Sequence, residues 1–225
     1  MVTINQSQSY SADNTTTDET VFSLIAQDIE KQGYSIQHGA LPETLMNALF
    51  FHQQDMESKK FKKAGIGRGQ EFQKNNFVRT DEICWITGDK EPTRQWLDWA
   101  ESLKVFLNRR LFLGLFSFES HFAHYAPGNY YKRHYDSFKG EANRVLSVVA
   151  YFNSDWLKSD AGELVLYKND HDREGIKVAP LLGTLVVFLS EEFPHEVLAA
   201  NRDRHSIAGW FRLNATGIHT IDPPT

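Results

Sequence analysis

A change of pattern near Phe116 constrains the fold more than any other feature of the sequence. From there the chain consists of short β-rich runs, separated by turn residues such as APGN, SDAG and LLG. The seven runs are FESHFAHYAP, YYKRHYD, RVLSVVAYFN, ELVLYKN, TLVVFLS, HEVLAA and RHSIAGWFRL. No helical segment alternates with them, which disfavours a parallel β-α-β sheet. The pattern therefore predicts an antiparallel sandwich or jelly roll.

The segments before these strands predict a supporting layer of helices on one sheet. Apolar residues share one helical face between Thr20 and Gln32, a second helix follows Pro42, and a third is TRQWLDWAESLKVFLNRRL. We expect a mainly β protein with N-terminal helices and a single domain over residues 20–225. Within it, residues 20–115 provide helical support and a substrate loop, and residues 116–213 form the β core. Residues 1–19 are polar and are predicted to be a disordered leader.

Charge and cysteine content exclude several classes of function. The formal net charge is -5 and the pI is about 6.0, so the chain lacks the basic excess that nucleic-acid binding requires. Cys84 is the only cysteine, which leaves no intramolecular disulfide and no thiolate metal cluster and suits a reducing compartment. The N-terminus has no signal-peptide pattern, and no apolar run is long enough to span a bilayer. We expect a cytoplasmic protein with no nucleic-acid or membrane partner.

Two histidines and one aspartate have the spacing of a metal site. His134 and Asp136 are two positions apart in a β-rich run, and residues so spaced in a strand point to the same face. The pair alone is weak, because a solvated strand face would also explain it. His195 begins a later run, at a distance that lets the intervening strands return beside the pair. Two imidazoles and one carboxylate form the facial triad of non-haem Fe(II) oxygenases.

The remaining histidines do not form a comparable set. His121 and His124 have an odd spacing in one strand and therefore face opposite sides. His205 follows Arg204 directly and points away from it. Those expected in helix, loop or tail positions are His38, His52, His171 and His219. The sequence therefore favours His134, Asp136 and His195 as the metal ligands.

An arginine nine positions after His195 indicates an anionic cosubstrate. Arg204 is permanently charged and can bind a carboxylate with two parallel hydrogen bonds, although a structural ion pair is the commoner fate of an arginine in a buried strand. Combined with the triad, it would suit 2-oxoglutarate, whose C5 carboxylate would meet Arg204 while its other end chelates iron. The charges of Fe(II), Asp136, 2-oxoglutarate and Arg204 cancel, which makes burial of the cluster tolerable.

Four segments carry a resemblance to a known family: YAPGNYYKRHYD, NRVLSVVAYFNSDW, AGELVLY and FPHEVLAANRDRHSIAGWF. They resemble the 2-oxoglutarate-dependent prolyl 4-hydroxylases of the hypoxia-sensing type, and their bacterial relatives in particular. The similarity continues upstream through RTDEICWITGDKEP and QGYSIQHGALP, so it covers nearly all of residues 20–212. It implies a double-stranded β-helix of the jelly-roll or cupin-like kind, with N-terminal helices.

The resemblance also implies a role for each site residue. Iron would be bound by His134, Asp136 and His195, the cosubstrate by Tyr125, Tyr151 and Arg204, and the substrate by Arg79, Asp81, Trp85, Tyr131, Arg144 and Trp210. Arg204 and the Tyr151 hydroxyl would hold the C5 carboxylate, and Tyr125 would contact the other end. Tyr151 and Trp210 could instead be ordinary core aromatics, but a buried tyrosine hydroxyl needs a partner.

The residues from Ala64 to Trp85 are expected to form a lid over the substrate. Glycines at 65, 67 and 69 give the backbone freedom, and Arg79 and Asp81 match a charged pair in the corresponding loop of the family. The sequence departs from the animal members of the family at His121, where an apolar side chain is usual, and in EFQKNNFV. These departures leave the substrate undetermined, and they do not affect the expected chemistry.

The expected activity is hydroxylation of a prolyl residue in a protein. It would require Fe(II), 2-oxoglutarate and O₂, yield succinate and CO₂, and be stimulated by ascorbate. Bacterial enzymes of this resemblance are linked to elongation factor Tu, which is therefore the first candidate substrate. The alternatives are an oxygenase for a free amino acid or another small molecule, a nucleic-acid demethylase, which the negative charge disfavours, and a jelly-roll binding module with structural histidines.

Overall fold

A computed structural model describes residues 12–56, 60–64, 78–137 and 143–214. Within these ranges the helices are α1 (Ala12–Gln32), α2 (Glu43–Gln54) and α3 (Glu91–Leu111). The first strands are β1 (Tyr34–His38), β2 (Lys62–Lys63), β3 (Glu82–Trp85), β4 (Ser117–Tyr125), β5 (Tyr131–His134) and β6 (Arg144–Tyr151). The others are β7 (Leu164–Leu166), β8 (Ile176–Val178), β9 (Thr184–Leu189), β10 (His195–Val197) and β11 (Arg204–Arg212).

The strands form two antiparallel sheets. The larger has the order β1-β9-β6-β11-β4-β3-β2, and the smaller has the order β5-β10-β7-β8. β11 lies between β4 and β6 and pairs with β4 in unbroken register from Arg204 opposite Tyr125 to Arg212 opposite Ser117. Most strands adjacent in the sheets are distant in the sequence, as in a jelly roll; the consecutive pairs are β2–β3, β3–β4 and β7–β8. The predicted mainly β fold with N-terminal helices is confirmed.

Alternate side chains of the larger sheet are buried on its two opposite faces. On β9, Leu185 and Val187 pack with the helices, whereas Val186 and Phe188 pack in the space shared with the smaller sheet. The period of two explains this division, because neighbouring side chains of a strand point to opposite faces. The inner face of the larger sheet therefore lines the interior between the sheets, and the outer face is covered by helices.

The third helix shows how the sequence builds the covering layer. The Lys90 backbone N–H donates to the Thr93 hydroxyl at 3.3 Å, and this contact closes the first turn of α3. Trp96, Leu103 and Leu107 then recur at helical spacing and are fully buried against the sheet. Among the described helices, none combines the length and the apolar character needed to cross a bilayer.

Several local expectations need correction. α1 begins at Ala12, inside the segment predicted to be a leader, and residues 1–11 lie outside the described ranges. β8 was missed because its residues, IKV, follow the charged stretch NDHDREG and do not belong to a longer β-rich run. His38 ends a strand where a helix, loop or tail was expected. Most of the predicted lid, residues 65–77, also lies outside the described residues, as does His219.

Candidate active site

The predicted metal ligands lie together in the smaller sheet, where β5 ends beside the start of β10. His134 ends β5 and is directly opposite His195, which begins β10. Asp136 lies in the bend just after β5, and it was expected within the strand. Its Oδ1 is 3.6 Å from His134 Nε2, and its Oδ2 is 3.5 Å from His195 Nε2. The candidate ligand atoms of the three residues all lie within 4.8 Å of one another.

Both histidines are held with the same ring nitrogen facing the aspartate. The Nδ1–H of His134 donates to the Lys132 carbonyl at 2.8 Å, and that of His195 donates to the Phe193 carbonyl at 3.1 Å. A carbonyl only accepts, so each Nδ1 carries a proton, and in the neutral imidazole each Nε2 keeps its lone pair. Fixing the tautomer in this way prepares an imidazole to bind a metal.

The charge states also suit a divalent cation. Burial by itself would raise the pKa of Asp136, but His195, His134 and Arg144 hold that pKa well below its ordinary value. Burial lowers the pKa of His195 to about 4, although the Asp136 carboxylate opposes this shift. A carboxylate beside neutral imidazoles is a donor set for iron, and three such ligands leave the other coordination positions free.

Two serines that the sequence analysis missed support Asp136. The Ser147 hydroxyl donates to Asp136 Oδ2 at 2.6 Å, and Ser190 Oγ lies 2.9 Å from Ser147 Oγ. Ser147 lies on β6 and Ser190 directly follows β9, so both come from the larger sheet. A serine in a strand gives no recognisable sequence signal, because its contacts depend on the packing of the two sheets.

A buried arginine lies deeper between the sheets with two tyrosines around it. Arg204 is 1% exposed, and its guanidinium carbon is 5.0 Å from the ring centres of both Tyr125 and Tyr151. Its Nε–H donates to the Gly162 carbonyl at 2.9 Å. Among the described residues no carboxylate lies within salt-bridge distance of it. A buried guanidinium with only neutral neighbours is a site for an anion.

The hydroxyl of Tyr151 is the second feature that fits an anion. It is buried and has no hydrogen-bond partner among the described residues. Burial raises the pKa of Tyr151 to about 12, against the opposing effect of the Arg204 charge, so the hydroxyl keeps its proton and can donate it. A buried donor without an acceptor is costly, and a carboxylate at Arg204 would remove that cost.

A stack of three side chains connects the described end of the predicted lid to the triad. Arg79 and Asp81 form a two-point ion pair, with Nε to Oδ1 at 2.8 Å and Nη2 to Oδ2 at 2.6 Å. The Arg79 guanidinium carbon lies 4.4 Å over the Tyr131 ring, and the Tyr131 and His134 ring centres are 3.5 Å apart. The expected charged pair is therefore in contact with His134, a candidate metal ligand, through Tyr131.

The other expected substrate residues form an aromatic and charged wall. The ring centre of Trp85, half exposed, lies 6.5 Å from that of Trp210, and the Arg144 guanidinium carbon lies 3.7 Å over Trp210. Glu119, which the sequence analysis missed, accepts from Arg144 Nη2 at 2.9 Å. His121 is buried on the same inner face, with its ring centre 5.2 Å from that of Trp85.

Two of the histidines that were set aside, His124 and His205, lie outside the site. His124 and His205 face each other across β4 and β11, and their rings stack with centres 4.8 Å apart. They line a cleft of about 500 Å³ on the outer face of the sheet, together with Gln53 and Asp203. His121 and His124 therefore occupy opposite faces, as predicted.

Comparisons with known proteins place this geometry among iron oxygenases. Residues 120–212 match the 2OG-Fe(II) oxygenase superfamily model. A prolyl-4-hydroxylase from Pseudomonas putida is 37% identical, with a TM-score of 0.76 over 85% of this chain and 99% of that one. A Trichoplax adhaerens prolyl hydroxylase, solved with a hypoxia inducible factor peptide fragment, is 24% identical with a TM-score of 0.74 over 91% and 94% of the chains. A viral collagen prolyl hydroxylase from Paramecium Bursaria Chlorella virus-1 shares the fold at 17% identity and a TM-score of 0.57, over 82% and 98%.

Proposed function

We propose, given that this chain belongs to the prolyl 4-hydroxylases of the 2OG-Fe(II) oxygenase superfamily, that its substrate is a prolyl residue within a protein. The enzyme is a dioxygenase that requires Fe(II), 2-oxoglutarate and O₂. Bound iron supplies the activation of O₂, in which 2-oxoglutarate becomes succinate and CO₂ and one oxygen atom goes to the substrate. The protein supplies binding, orientation and a water-poor interior.

His134, Asp136 and His195 would hold the iron. The observation that supports this assignment is the convergence of both Nε2 lone pairs on one carboxylate, with both Nδ1 protons engaged by backbone carbonyls. The neutral His195 imidazole and the anionic Asp136 carboxylate need no proton loss before they bind a cation. The three ligands come from one edge of the smaller sheet, so the metal would face the inner face of the larger sheet.

Arg204, Tyr151 and Tyr125 would bind 2-oxoglutarate. The guanidinium and the unpartnered Tyr151 hydroxyl offer converging donors for the C5 carboxylate, and the Gly162 carbonyl fixes the arginine through its Nε. Tyr125 is buried beside Arg204 on the neighbouring strand, and it would contact the other end of the cosubstrate. Water is excluded here, which strengthens each charged hydrogen bond.

A polypeptide substrate is supported by the wall that Trp85, Trp210 and Arg144 form beside the triad. A half-exposed tryptophan next to a buried one offers apolar faces to a pyrrolidine ring. Tyr131 stacks on His134, and with Arg79 and Asp81 it would border the substrate from the other side. The Trichoplax hydroxylase of the same fold was solved with a peptide fragment, which supports a polypeptide as the class of ligand.

Elongation factor Tu is the substrate that we propose, and the cytoplasm is the compartment in which the two would meet. Purified elongation factor Tu should be incubated with the enzyme, Fe(II), 2-oxoglutarate and ascorbate, and its prolyl peptides analysed by mass spectrometry. One prolyl residue should gain one oxygen atom, and a His195→Ala enzyme should leave it unmodified. If cytoplasmic proteins are hydroxylated at proline but this factor is not, the factor is the wrong substrate. Hydroxylation of free amino acids alone would reject a protein substrate.

A further inference from the structure

Two buried serines form a chain of hydroxyls that ends on the candidate metal site. Ser147 is 1% exposed and Ser190 is fully buried. The Ser147 hydroxyl is 2.6 Å from Asp136 Oδ2, and the two serine Oγ atoms are 2.9 Å apart. We call Ser147 and Ser190 the serine pair. The family match and the proposed function assign no role to either residue.

The direction of the hydrogen bonds follows from the carboxylate. An ionised carboxylate only accepts, so the Ser147 proton points to Asp136, and the Ser147 oxygen is left to accept from Ser190. The 2.6 Å contact has the length of a charge-assisted O–H···O⁻ bond, which is about twice as strong as a neutral one. Burying two hydroxyls in an apolar layer is costly unless they serve a polar group. Here that group is Asp136.

Asp136 needs such support because of its position. His134 and His195 are fixed by opposite places in paired strands and by backbone acceptors for their rings. Asp136 lies beyond the last residue of β5 and has no partner in the strand pairing. Among the described residues, the Ser147 hydroxyl is the group that donates to its side chain, because the lone pairs of the two imidazole Nε2 atoms cannot donate. The third ligand therefore takes its orientation from the larger sheet.

We infer that Ser147, itself oriented by Ser190, is a positioning residue that aims the Asp136 carboxylate at the point between the two imidazoles. The inference deepens the proposed function because it rests on the same iron site. The serine pair connects β6 and β9 of the larger sheet to a ligand beside the smaller sheet, so it also fixes how far apart the sheets stand at the metal. Removing a residue that orients a metal ligand in this way typically weakens metal affinity about 10- to 100-fold.

The test is Co(II) binding to the metal-free enzyme, measured by titration without 2-oxoglutarate or any peptide. Ser147→Ala should raise the dissociation constant about tenfold or more, and Ser147→Thr, which keeps the hydroxyl, should restore affinity to within about threefold of the wild type. Ser120→Ala is the matched control. Ser120 is equally buried on the outer face of the same sheet, where it accepts from Trp96 Nε1 at 3.0 Å. It should lower the melting temperature and leave Co(II) affinity unchanged.

Co(II) affinity of Ser147→Ala within about twofold of the wild type, or an equal loss of affinity in Ser120→Ala, would overturn the inference. If Ser147→Ala does not fold, Ser190→Ala takes its place, because it removes only the second link of the chain. That variant should weaken Co(II) binding about threefold, and wild-type affinity would then reject the role of the serine pair. A failure to find any hydroxylated protein would reject the proposed substrate and leave this result standing.

Discussion

Arg204 and Tyr125 are directly opposite each other on β11 and β4, and the guanidinium carbon of the one lies 5.0 Å from the ring centre of the other. The next pair in the same ladder, His205 and His124, faces the helices. Because neighbouring side chains of a strand point to opposite faces, Arg204 lies on the inner face of the larger sheet and the histidine pair lies on its outer face. The proposed cosubstrate site depends on this one register.

Replacing Arg204 with Met should weaken 2-oxoglutarate binding by at least about 1.5–3 kcal/mol, because the C5 carboxylate would be buried without its ionic partner. Metal affinity should change much less. Arg202→Met is the matched control, because Arg202 is two positions away and its side chain is 45% exposed. Calorimetric titration of 2-oxoglutarate into the metal-loaded variants measures the effect. Equal affinities in both variants would move the anion site away from Arg204.

Tyr151→Phe should weaken 2-oxoglutarate binding without lowering the stability of the protein. The change removes a buried hydroxyl that has no hydrogen-bond partner among the described residues, so the free energy of unfolding should stay equal or rise by up to about 1 kcal/mol. Affinity for 2-oxoglutarate should fall by about 1.5 kcal/mol or more, since a hydrogen bond to a carboxylate is lost. Urea unfolding and ligand titration on the same preparation measure the two quantities. A variant that loses stability and keeps its affinity would contradict this role.

His195→Ala should abolish 2-oxoglutarate turnover and leave the melting temperature close to that of the wild type. The reason is that the imidazole would supply one of the three proposed metal ligands, while its neighbours in β10 keep their pairing with β7. His124→Ala serves as the control, because His124 lies on the opposite face of the larger sheet and cannot reach the metal. Succinate formation is the measurement, and wild-type turnover in His195→Ala would remove the triad assignment.

His121 should make the protein less stable in acid. Its burial lowers its pKa from the ordinary 6.5 to about 4 in the folded protein. The unfolded state therefore takes up a proton first, and stability falls as pH drops from about 6.5 toward 4, by up to roughly 3 kcal/mol. His121→Met lacks the titrating group, so its unfolding free energy should fall less between pH 7 and pH 4.5.

Urea unfolding at the two pH values measures that difference. His171→Gln, at an exposed turn position, should keep the wild-type pH dependence. Equal losses in the wild type and His121→Met would show that other groups control stability in acid. His205, whose pKa burial also lowers to about 4, is the next candidate.

Gly162→Ala should displace Arg204, because the Gly162 carbonyl accepts a hydrogen bond from the arginine Nε–H. Gly162 has φ +74°, and an added Cβ would lie 2.7 Å from the Ala200 Cβ, so both strain and contact oppose the change. We expect a loss of more than about 1 kcal/mol of unfolding free energy, and weaker 2-oxoglutarate binding because the Gly162 carbonyl holds Arg204. Gly39→Ala is the control, since Gly39 has φ +63° and an added Cβ would meet no other described residue within 4 Å. It should lose stability and keep cosubstrate affinity.

The sequence predicted the parts of the site that follow from strand periodicity. His134, His195 and Arg204 lie at or next to strand ends, where position in the chain determines the face, and a period of two suffices to group them. The opposite faces of His121 and His124 follow from the same rule. The two-sheet fold was predictable because turn residues mark nearly every strand boundary.

The parts that it did not predict depend on contacts between elements. Glu119 binds Arg144 from the far side of β11, and the serine pair reaches Asp136 across the space between the sheets. Such partners have no fixed spacing in the chain. The start of α1 at Ala12 was missed because a polar segment shows no apolar period, although Trp99 Nε1 donates to Asp18 near its beginning.

The unbroken pairing of β11 with β4 limits how this enzyme can change by insertion and deletion. Arg204 and Trp210 lie on the same face, six positions and about 20 Å apart along one strand. One residue inserted between them would turn Trp210 toward the helices and bring the core side chain Phe211 into the active site. A point substitution at Arg204 or at Trp210 can change one of these positions without moving the other. The length of the strand between them cannot vary, so new specificities must come from side chains and surface loops.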